Sequence, residues 1–334
     1  MSSDLAHDQT SPARKKIPPL NQSNRVIVIA GPTATGKTRL SIELARILGG
    51  EIISADSVQV YRGMDIGTAK ATPEERIEIP HHLIDECNLS ESFNVVQFYE
   101  RATDLIRQIH ARGHIPIVVG GTGFYLHALL YGPPQGPPAS PEVRAKLEED
   151  FEKFGAEALY EKMSLLDPEY GKTINSRDRH KIIRALEIMT LTGKKVSDFP
   201  KNTTFNRAKE FDFRCWFIYF PKEILFSRIE MRCDEMMAHG FIEEVEELLD
   251  QGLEKNLSAS QAIGYRQCIE FLNSPKSDED WEHFVWEFKK ASRRYAKRQF
   301  TWFRREPLFR WVDLDIHGYQ RAFEMILKDY ESRY

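Results

Sequence analysis

The sequence predicts an α/β fold, in which a parallel sheet is flanked by helices and a mostly helical domain is inserted between two strands. Three apolar runs, at 26–30, 115–119 and 214–220, are typical of strands buried on both faces. Segments with helical periodicity separate these runs. A Pro/Gly-rich boundary at 131–138 precedes a charged, helical stretch, and this stretch is the predicted insertion.

The length and the pattern of polarity predict three parts of the chain. Residues 1–24 are polar and contain three prolines, so we expect a disordered tail. A chain of 334 residues is long enough for a second domain beside the sheet. We predict a core formed by 25–132 and 211–334, with RNA-binding helices near the C-terminus, and a helical insertion domain at 133–210.

Composition excludes several classes of protein. The net charge is −4, so any nucleic-acid site must be a local basic patch. The four cysteines form no C-x-x-C pair, which argues against a zinc finger or a disulfide framework and fits a reducing cytosol. No apolar run reaches the roughly 18 residues needed to span a membrane. We therefore expect a cytoplasmic protein without a membrane partner.

The motif G-x-x-x-x-G-K-[ST] lies between the first strand and a helix that ends at Gly49. Gly31 and Gly36 allow the backbone to curl so that successive N–H groups point inward, toward a phosphate. Lys37 adds a mobile ammonium, and the Thr38 hydroxyl can hold Mg²⁺. This context predicts a P-loop NTPase-like core. The predicted phosphate-binding residues are Gly31, Pro32, Thr33, Ala34, Thr35, Gly36, Lys37 and Thr38.

Two other strand ends carry polar groups. Asp56 follows the predicted strand at 51–54, at the edge of an open α/β sheet where ligands bind, so it should face the phosphate loop. The alternative is an Asp that caps the next turn. The strand at 115–119 ends in Gly-Gly-Thr, where a motor or a GTPase would carry an Asp for Mg²⁺. A hydroxyl and bare backbone suit a diphosphate better than water activation.

The remaining elements are predicted from periodicity and turn residues. In chain order they are a glycine-punctuated loop at 62–80, a possible short strand at 81–85, an amphipathic helix at 93–112, a loop at 198–210, helices at 222–239 and 241–251, a helix that starts near 263–267, a long helix at 281–305 and a possible edge strand at 309–313.

Two segments are candidates for RNA contact. The stretch 289–305 carries eight Lys or Arg residues, interleaved aromatics and no acidic residue, the local pattern expected for an RNA backbone contact. A solvated amphipathic helix is the alternative, and the lack of acidic residues favours RNA. The stretch 177–184 is basic on one side and apolar on the other, and for it both interpretations stay open.

Five motifs follow one another in an order that resembles the tRNA dimethylallyltransferase (tRNA isopentenyltransferase) family, in its bacterial form. They lie at 31–38, 54–61, 63–70, 120–122 and 264–267. The resemblance implies transfer of the dimethylallyl group of dimethylallyl diphosphate to N6 of the adenosine just 3′ of the anticodon of tRNA (position 37). It implies Mg²⁺ as cofactor and tRNA (anticodon stem-loop) as partner, and we expect a monomer.

The same resemblance implies roles for single residues. Asp56 matches the general base, and Thr122 and Arg232 match catalytic residues near the diphosphate. The residues implied to bind tRNA are Asp56, Ser57, Val58, Gln59, Thr122, Arg144, His180, Lys181, Arg184, Gln261, Gly264, Tyr265, Arg266, Arg293, Arg294, Lys297, Arg298 and Gln299.

Three other functions share part of this pattern. An enzyme that prenylates free AMP, ADP or ATP would need the loop and Asp56, but neither the insertion nor the basic helix. A small-molecule P-loop kinase would hold ATP in the loop and an acceptor hydroxyl on Asp56. A nucleotide-dependent RNA-binding switch without chemistry would not need a carboxylate at the ligand edge.

Overall fold

The computed structural model describes residues 24–200 and 210–332, and its centre is a six-stranded sheet. The strand order is β3-β2-β4-β1-β5-β6, and all neighbouring strands are parallel. The predicted α/β class is therefore confirmed, including the short edge strands at both sides. The strands are β1 (Arg25–Ala30), β2 (Gly50–Ser54), β3 (His81–His82), β4 (Ile115–Gly120), β5 (Asp212–Tyr219) and β6 (Arg310–Asp313).

Helices connect the strands and follow them. Those before the insertion are α1 (Lys37–Leu48), α2 (Pro73–Glu78), α3 (Val95–Ala111) and α4 (Gly123–Tyr131). The insertion holds α5 (Pro141–Leu166), α6 (Pro168–Gly171) and α7 (Arg179–Thr192). After β5 come α8 (Lys222–Ala238), α9 (Phe241–Asp250), α10 (Leu257–Ser260), α11 (Tyr265–Leu272), α12 (Asp278–Phe303) and, after β6, α13 (Leu314–Glu331).

The register of the central strands brings three predicted segments to one edge of the sheet. Every residue of β1 is buried, and Ala30 at its carboxyl end lies opposite Gly120 of β4. Ser54 at the end of β2 lies opposite Val119 of the same strand. Because parallel strands share their carboxyl edge, the phosphate loop, the segment after Ser54 and the Gly-Gly-Thr turn meet there.

The chain divides into two compact units, a smaller one at 131–206 and a larger one made of the rest. Helices α5 and α7 of the smaller unit pack around their own apolar cluster, as an independent core requires. That 133–210 is a separate insertion domain stays a prediction. The buried members of the cluster are Leu147, Leu159, Met163, Ile182, Ile183, Ala185 and Leu186.

Several elements differ from the predictions. The predicted loop at 62–80 contains α2, which starts with a capping box between Thr72 and Glu75 and has Pro73 at its first position, signals that the glycines beside it obscure. Helices α4 and α13 were not predicted. The long basic helix begins at Asp278 because Ser277 caps it. The predicted tail and most of the predicted loop at 198–210 fall outside the described residues.

The described residues also give the state of the cysteines and were compared with the requirements of a membrane-spanning helix and of a metal cluster. All four cysteines are free and buried. Within 24–200 and 210–332, no helix combines the length and the apolar character that crossing a membrane requires. The same residues contain no group of three or more His, Cys, Asp or Glu side chains arranged to hold a metal ion.

Candidate active site

A cavity of about 700 Å³ is lined by the phosphate loop and by the segments that follow β2 and β4. Helices α8 and α12 complete its wall, so residues more than 200 positions apart in sequence face the same space. The lining residues include Lys37, Thr38, Asp56, Gln59, Gly121, Arg232, Tyr295, Arg298 and Gln299.

The phosphate loop directs its carbonyl groups toward neighbouring side chains. Lys37 Nζ donates to the carbonyl of Pro32 at 2.7 Å, and Arg228 Nε donates to that of Ala34 at 2.9 Å. The Tyr319 hydroxyl donates to the carbonyl of Thr35. Within 24–200 and 210–332, no side chain forms a capping hydrogen bond at the start of α1. The loop therefore offers N–H groups and a helix N-terminus to an anion.

Gly36 is required at the start of α1 for two reasons. Its φ of 82° lies in the left-handed region, which favours glycine. A Cβ atom at this position would also lie 2.2 Å from the Tyr319 hydroxyl oxygen. Sequence reasoning singled out the glycine but missed Tyr319, because α13 lies beyond the stretch that resembles the family.

Removal of the Tyr319 hydroxyl should loosen the phosphate loop without disturbing the sheet. We expect Tyr319→Phe to weaken diphosphate binding about fivefold, the effect of one ordinary hydrogen bond. Calorimetric titration with inorganic diphosphate and Mg²⁺ measures this change. Unchanged affinity would show that the hydroxyl does not support the loop.

Two partly buried cations, Lys37 and Arg232, face the cavity beside the loop. The pKa of Lys37 is lowered to about 7, mainly by desolvation and also by the positive charge of Arg232, while the charge of Asp56 opposes both effects. Burial likewise lowers the pKa of Arg232. Desolvated cations next to free N–H groups are stabilised by a multiply charged anion, so the arrangement suits a diphosphate.

Asp56 both caps the turn that follows it and faces the cavity, so the two interpretations of this residue from the sequence are compatible. Its Oδ1 accepts hydrogen bonds from the N–H groups of Val58 at 2.9 Å and Gln59 at 3.3 Å, as a turn-capping Asp does. Its Oδ2 makes no hydrogen bond within the described residues, and the side chain lines the cavity. One oxygen therefore shapes the turn while the other is available to a ligand.

Thr122 and Tyr295 lie close to Asp56. Thr122 Oγ1 accepts a hydrogen bond from the Ser57 N–H group at 3.2 Å. Burial raises the pKa of Tyr295 to about 12, the charge of Asp56 contributes in the same direction, and hydrogen bonds to Thr122 and Gln299 oppose it. Tyr295 is thus a neutral phenol beside the carboxylate. The sequence placed Tyr295 within the basic stretch 289–305 proposed for RNA contact but did not single it out, although it lies one turn before Gln299 on α12.

The residues predicted to bind tRNA fall into several groups in the larger unit. Ser57, Val58, Gln59, Gln261, Tyr265, Arg298 and Gln299 line the cavity. Arg266 is exposed, and Gly264 is buried.

Two of the cavity residues hold the wall together. The Tyr265 side chain is fully buried and its hydroxyl donates to Glu244 at 2.6 Å. Gln299 is buried and its amide donates to the carbonyl of Gly121 at 3.0 Å. Each of these two side chains therefore combines a contact inside the protein with a place in the cavity wall, and its contact with tRNA stays a prediction.

The basic face of α12 is smaller than the sequence indicated. Arg293 pairs with Glu230 of α8, and Lys289 pairs with Asp234 of the same helix. The acidic partners come from another element, so the absence of Asp and Glu within 289–305 overstated the free charge. Three exposed cations of α12 have no ion pair in the part of the chain that the structure describes, and these are Arg294, Lys297 and Arg298.

The predicted tRNA contacts of the smaller unit lie around a buried carboxylate. Glu187 is fully buried and accepts hydrogen bonds from Arg144 and Arg184. These hydrogen bonds lower the pKa of Glu187 against the effect of its burial. Lys181 pairs with Asp178 at 3.0 Å, and His180 is exposed. Contact with tRNA stays a prediction for the four residues Arg144, His180, Lys181 and Arg184.

The donor set of the cavity fits a magnesium–diphosphate complex. Mg²⁺ usually takes one or two protein oxygens and completes its octahedron with phosphate oxygens and water. The Thr38 hydroxyl and the Asp56 carboxylate face the same cavity as the phosphate loop. Since the described residues hold no larger cluster of metal-binding side chains, a dedicated metal cage is not present among them.

Comparisons with known proteins agree on one family. The family model described as IPP transferase matches residues 59–306. The curated protein named tRNA dimethylallyltransferase of Protochlamydia amoebophila is 56% identical over 320 residues, which cover 95% of this chain and 93% of that protein. The protein of the same name from Chlamydia pneumoniae is 47% identical, with 91% of this chain and 89% of that protein covered.

Solved structures lead to the same family. The tRNA isopentenylpyrophosphate transferase of Staphylococcus epidermidis superposes with a TM-score of 0.68 at 37% identity, covering 93% of this chain and all of that chain. A eukaryotic dimethylallyltransferase acting on tRNA superposes with a TM-score of 0.75 at 30% identity, with 93% of this chain and 80% of that chain covered. These matches confirm the resemblance found in the sequence, and the chain belongs to the IPP transferase family.

Proposed function

We propose that the protein transfers the dimethylallyl group of dimethylallyl diphosphate to N6 of the adenosine just 3′ of the anticodon in tRNA and releases diphosphate. The observation that carries this proposal is one cavity that joins a phosphate loop with two partly buried cations, Lys37 and Arg232, to the Asp56 carboxylate, which has an unbonded oxygen. The near full-length relatives named tRNA dimethylallyltransferase support the choice of donor and acceptor.

The leaving group is the first chemical requirement. As the bond between C1 of the dimethylallyl group and the diphosphate oxygen breaks, negative charge develops on the diphosphate. Loop N–H groups, Lys37 and Arg232 are already oriented toward this charge, which is the condition for electrostatic catalysis. Mg²⁺, held by Thr38 and water, would neutralise part of the same charge when bound.

The acceptor is the second requirement. An adenine within an RNA loop is partly stacked, so it must leave the stack for N6 to enter the cavity. The N6 lone pair forms the bond to C1, and one N6 proton passes to Asp56 Oδ2. Thr122 and the neutral Tyr295 hydroxyl lie beside Asp56, where they can hydrogen-bond the adenine edge. The residues that face the diphosphate and those that face the acceptor come from one chain, so we propose that the enzyme is a monomer. We also propose that it is cytoplasmic.

The exposed cations of α12 should bind the RNA backbone. We expect Arg294→Ala, Lys297→Ala and Arg298→Ala each to weaken tRNA binding and to reduce the salt slope of the affinity by up to roughly one unit. Arg293→Ala is the internal comparator, and its effect should be smaller because Glu230 already neutralises this residue. Filter binding at several salt concentrations measures the slopes. An unchanged slope in the triple variant would make α12 an ordinary solvated helix.

One labelling experiment separates the proposal from its alternatives. The protein is incubated with labelled dimethylallyl diphosphate and, in separate reactions, with unmodified tRNA, AMP or ATP. We expect label on tRNA alone. Label on AMP or ATP would support the nucleotide prenyltransferase. Phosphate transfer from γ-labelled ATP to a small acceptor would support the kinase, and RNA binding without any transfer would support the switch.

A further inference from the structure

The Glu244 carboxylate, on α9, accepts hydrogen bonds from three successive backbone N–H groups and from one hydroxyl group. Its Oε2 accepts hydrogen bonds from the N–H groups of Asp65 at 2.9 Å and Ile66 at 2.6 Å. Its Oε1 accepts from the Gly67 N–H group at 3.1 Å and from the Tyr265 hydroxyl at 2.6 Å. Each carboxylate oxygen thus has two donors, so a single side chain fixes three successive peptide groups.

Of the three peptide groups that Glu244 fixes, the one at Gly67 borders the cavity and begins the wall segment 67–70. The segment 67–70 lines the cavity, and the carbonyl of Thr68 accepts a hydrogen bond from Gln59 Nε2 at 3.1 Å. The other amide atom of Gln59, Oε1, accepts from Ser54 Oγ at 2.8 Å. The backbone N–H group of Gln59 in turn donates to Asp56 Oδ1. Hydrogen bonds at Gly67, Thr68 and Gln59, joined by the covalent structure of these residues, therefore connect α9 to the predicted base.

Packing makes the position of this segment specific. A Cβ atom on Gly67 would lie 2.3 Å from a ring carbon of Phe241, so the backbone rests directly on the aromatic rings of α9 and α11. The far end of the segment is held by Lys70, whose buried ammonium donates to the carbonyl of Tyr61 at 2.7 Å and pairs with Asp65 at 2.6 Å. Glu244 and Lys70 thus fasten the segment from two sides.

We propose that Glu244 is a positioning residue for the acceptor side of the reaction. It holds the segment 65–68 so that Thr68 orients Gln59 and the turn that carries Asp56. None of the hydrogen bonds made by Glu244 reaches the phosphate loop at 31–38. Loss of Glu244 should therefore lower tRNA binding and the rate of prenyl transfer, and leave the affinity for diphosphate unchanged. This inference rests on the proposed function for the identity of the acceptor.

Glu244→Gln tests the proposal with little change in shape. The new amide places an NH₂ group where a carboxylate oxygen accepted two donors. The Tyr265 hydroxyl can rotate to accept from it, but a backbone N–H group cannot, so at least one bond to the segment is lost. We expect kcat/KM for tRNA to fall about tenfold, with affinity for inorganic diphosphate unchanged within about twofold.

Two further variants show whether the effect belongs to this contact. Glu247→Gln changes an exposed glutamate three residues further along α9. This variant should leave both kcat/KM for tRNA and the affinity for diphosphate unchanged. Tyr265→Phe removes one of the four donors, and its effect should be less than additive with that of Glu244→Gln because the two groups share one oxygen. Glu244→Asp keeps the charge and should recover part of the loss.

Hydrogen exchange tests the hydrogen bonds between Glu244 and the segment 65–67 without any substrate. Amide exchange at 65–67 should accelerate in Glu244→Gln, while exchange at 31–38 stays as in the unchanged protein. This measurement remains decisive even if the unchanged protein fails to prenylate tRNA, an outcome that would refute only the proposed function. Unaltered exchange at 65–67, or an equal loss of diphosphate affinity and tRNA turnover, would overturn the positioning role.

Discussion

Single-turnover prenyl transfer by the Asp56→Asn variant should be slower than that of the unchanged protein by about 10²–10⁴-fold, the usual contribution of a general base. Asparagine keeps the shape of the side chain, and its carbonyl oxygen can still accept from the N–H groups of Val58 and Gln59. It cannot take the N6 proton at neutral pH. The turn should therefore persist while proton transfer fails.

Binding measurements separate the role of Asp56 in catalysis from a role in binding. The dissociation constants of tRNA and of inorganic diphosphate should change much less than the rate, because the lost interaction matures only in the transition state. Rapid-quench assays with enzyme in excess give the rate without product release. Near-normal chemistry in the variant would leave Asp56 as a turn-capping residue that borders the cavity.

Loss of the Lys37 ammonium should abolish measurable turnover and weaken diphosphate binding by about ten- to a hundredfold. The lower figure corresponds to one hydrogen bond to a charged group, and the larger to the same bond in a desolvated site. Lys37→Ala removes the mobile cation of the loop, whereas tRNA binding should be largely kept. Removal of the Lys37 ammonium should not destabilise the fold, since desolvation already opposes its charged form.

The two ligands give the control for this variant. Calorimetry with inorganic diphosphate and filter binding with tRNA are carried out on the same preparation, and thermal unfolding checks that the sheet is intact. An equal loss of affinity for both ligands would mean that the site is not divided into a diphosphate side and an RNA side.

Much of the site could be predicted because its signals are local. The phosphate loop is a strand, a glycine-rich turn and a helix that are contiguous in sequence, and parallel strands bring their carboxyl ends together whatever the details of packing. Asp56 and Thr122 follow two of these strands directly. The convergence of Asp56 and Lys37 on one cavity, with Thr122 bonded to the neighbouring Ser57, therefore required only the correct assignment of strands.

The groups that support the site could not be predicted, because their contacts have no local signature. Arg228 and Tyr319 bond the phosphate loop across 194 and 284 residues of sequence. Glu244 lies on a helix whose acidic residues look like an ordinary solvated face, and only packing reveals its four donors. For the same reason, the sequence of α12 could not show that Glu230 and Asp234 of α8 neutralise part of its charge.

Product mapping on tRNA tests the central claim most directly. The purified protein, dimethylallyl diphosphate and Mg²⁺ are incubated with an unmodified anticodon stem-loop that has adenosine just 3′ of the anticodon, or with the same RNA carrying guanosine there. Mass spectrometry of the digested RNA should find N6-dimethylallyladenosine at that position in the first RNA, with one diphosphate released per transfer, and no transfer to the second. Prenylation of the guanosine variant, or label at another position, would contradict the account.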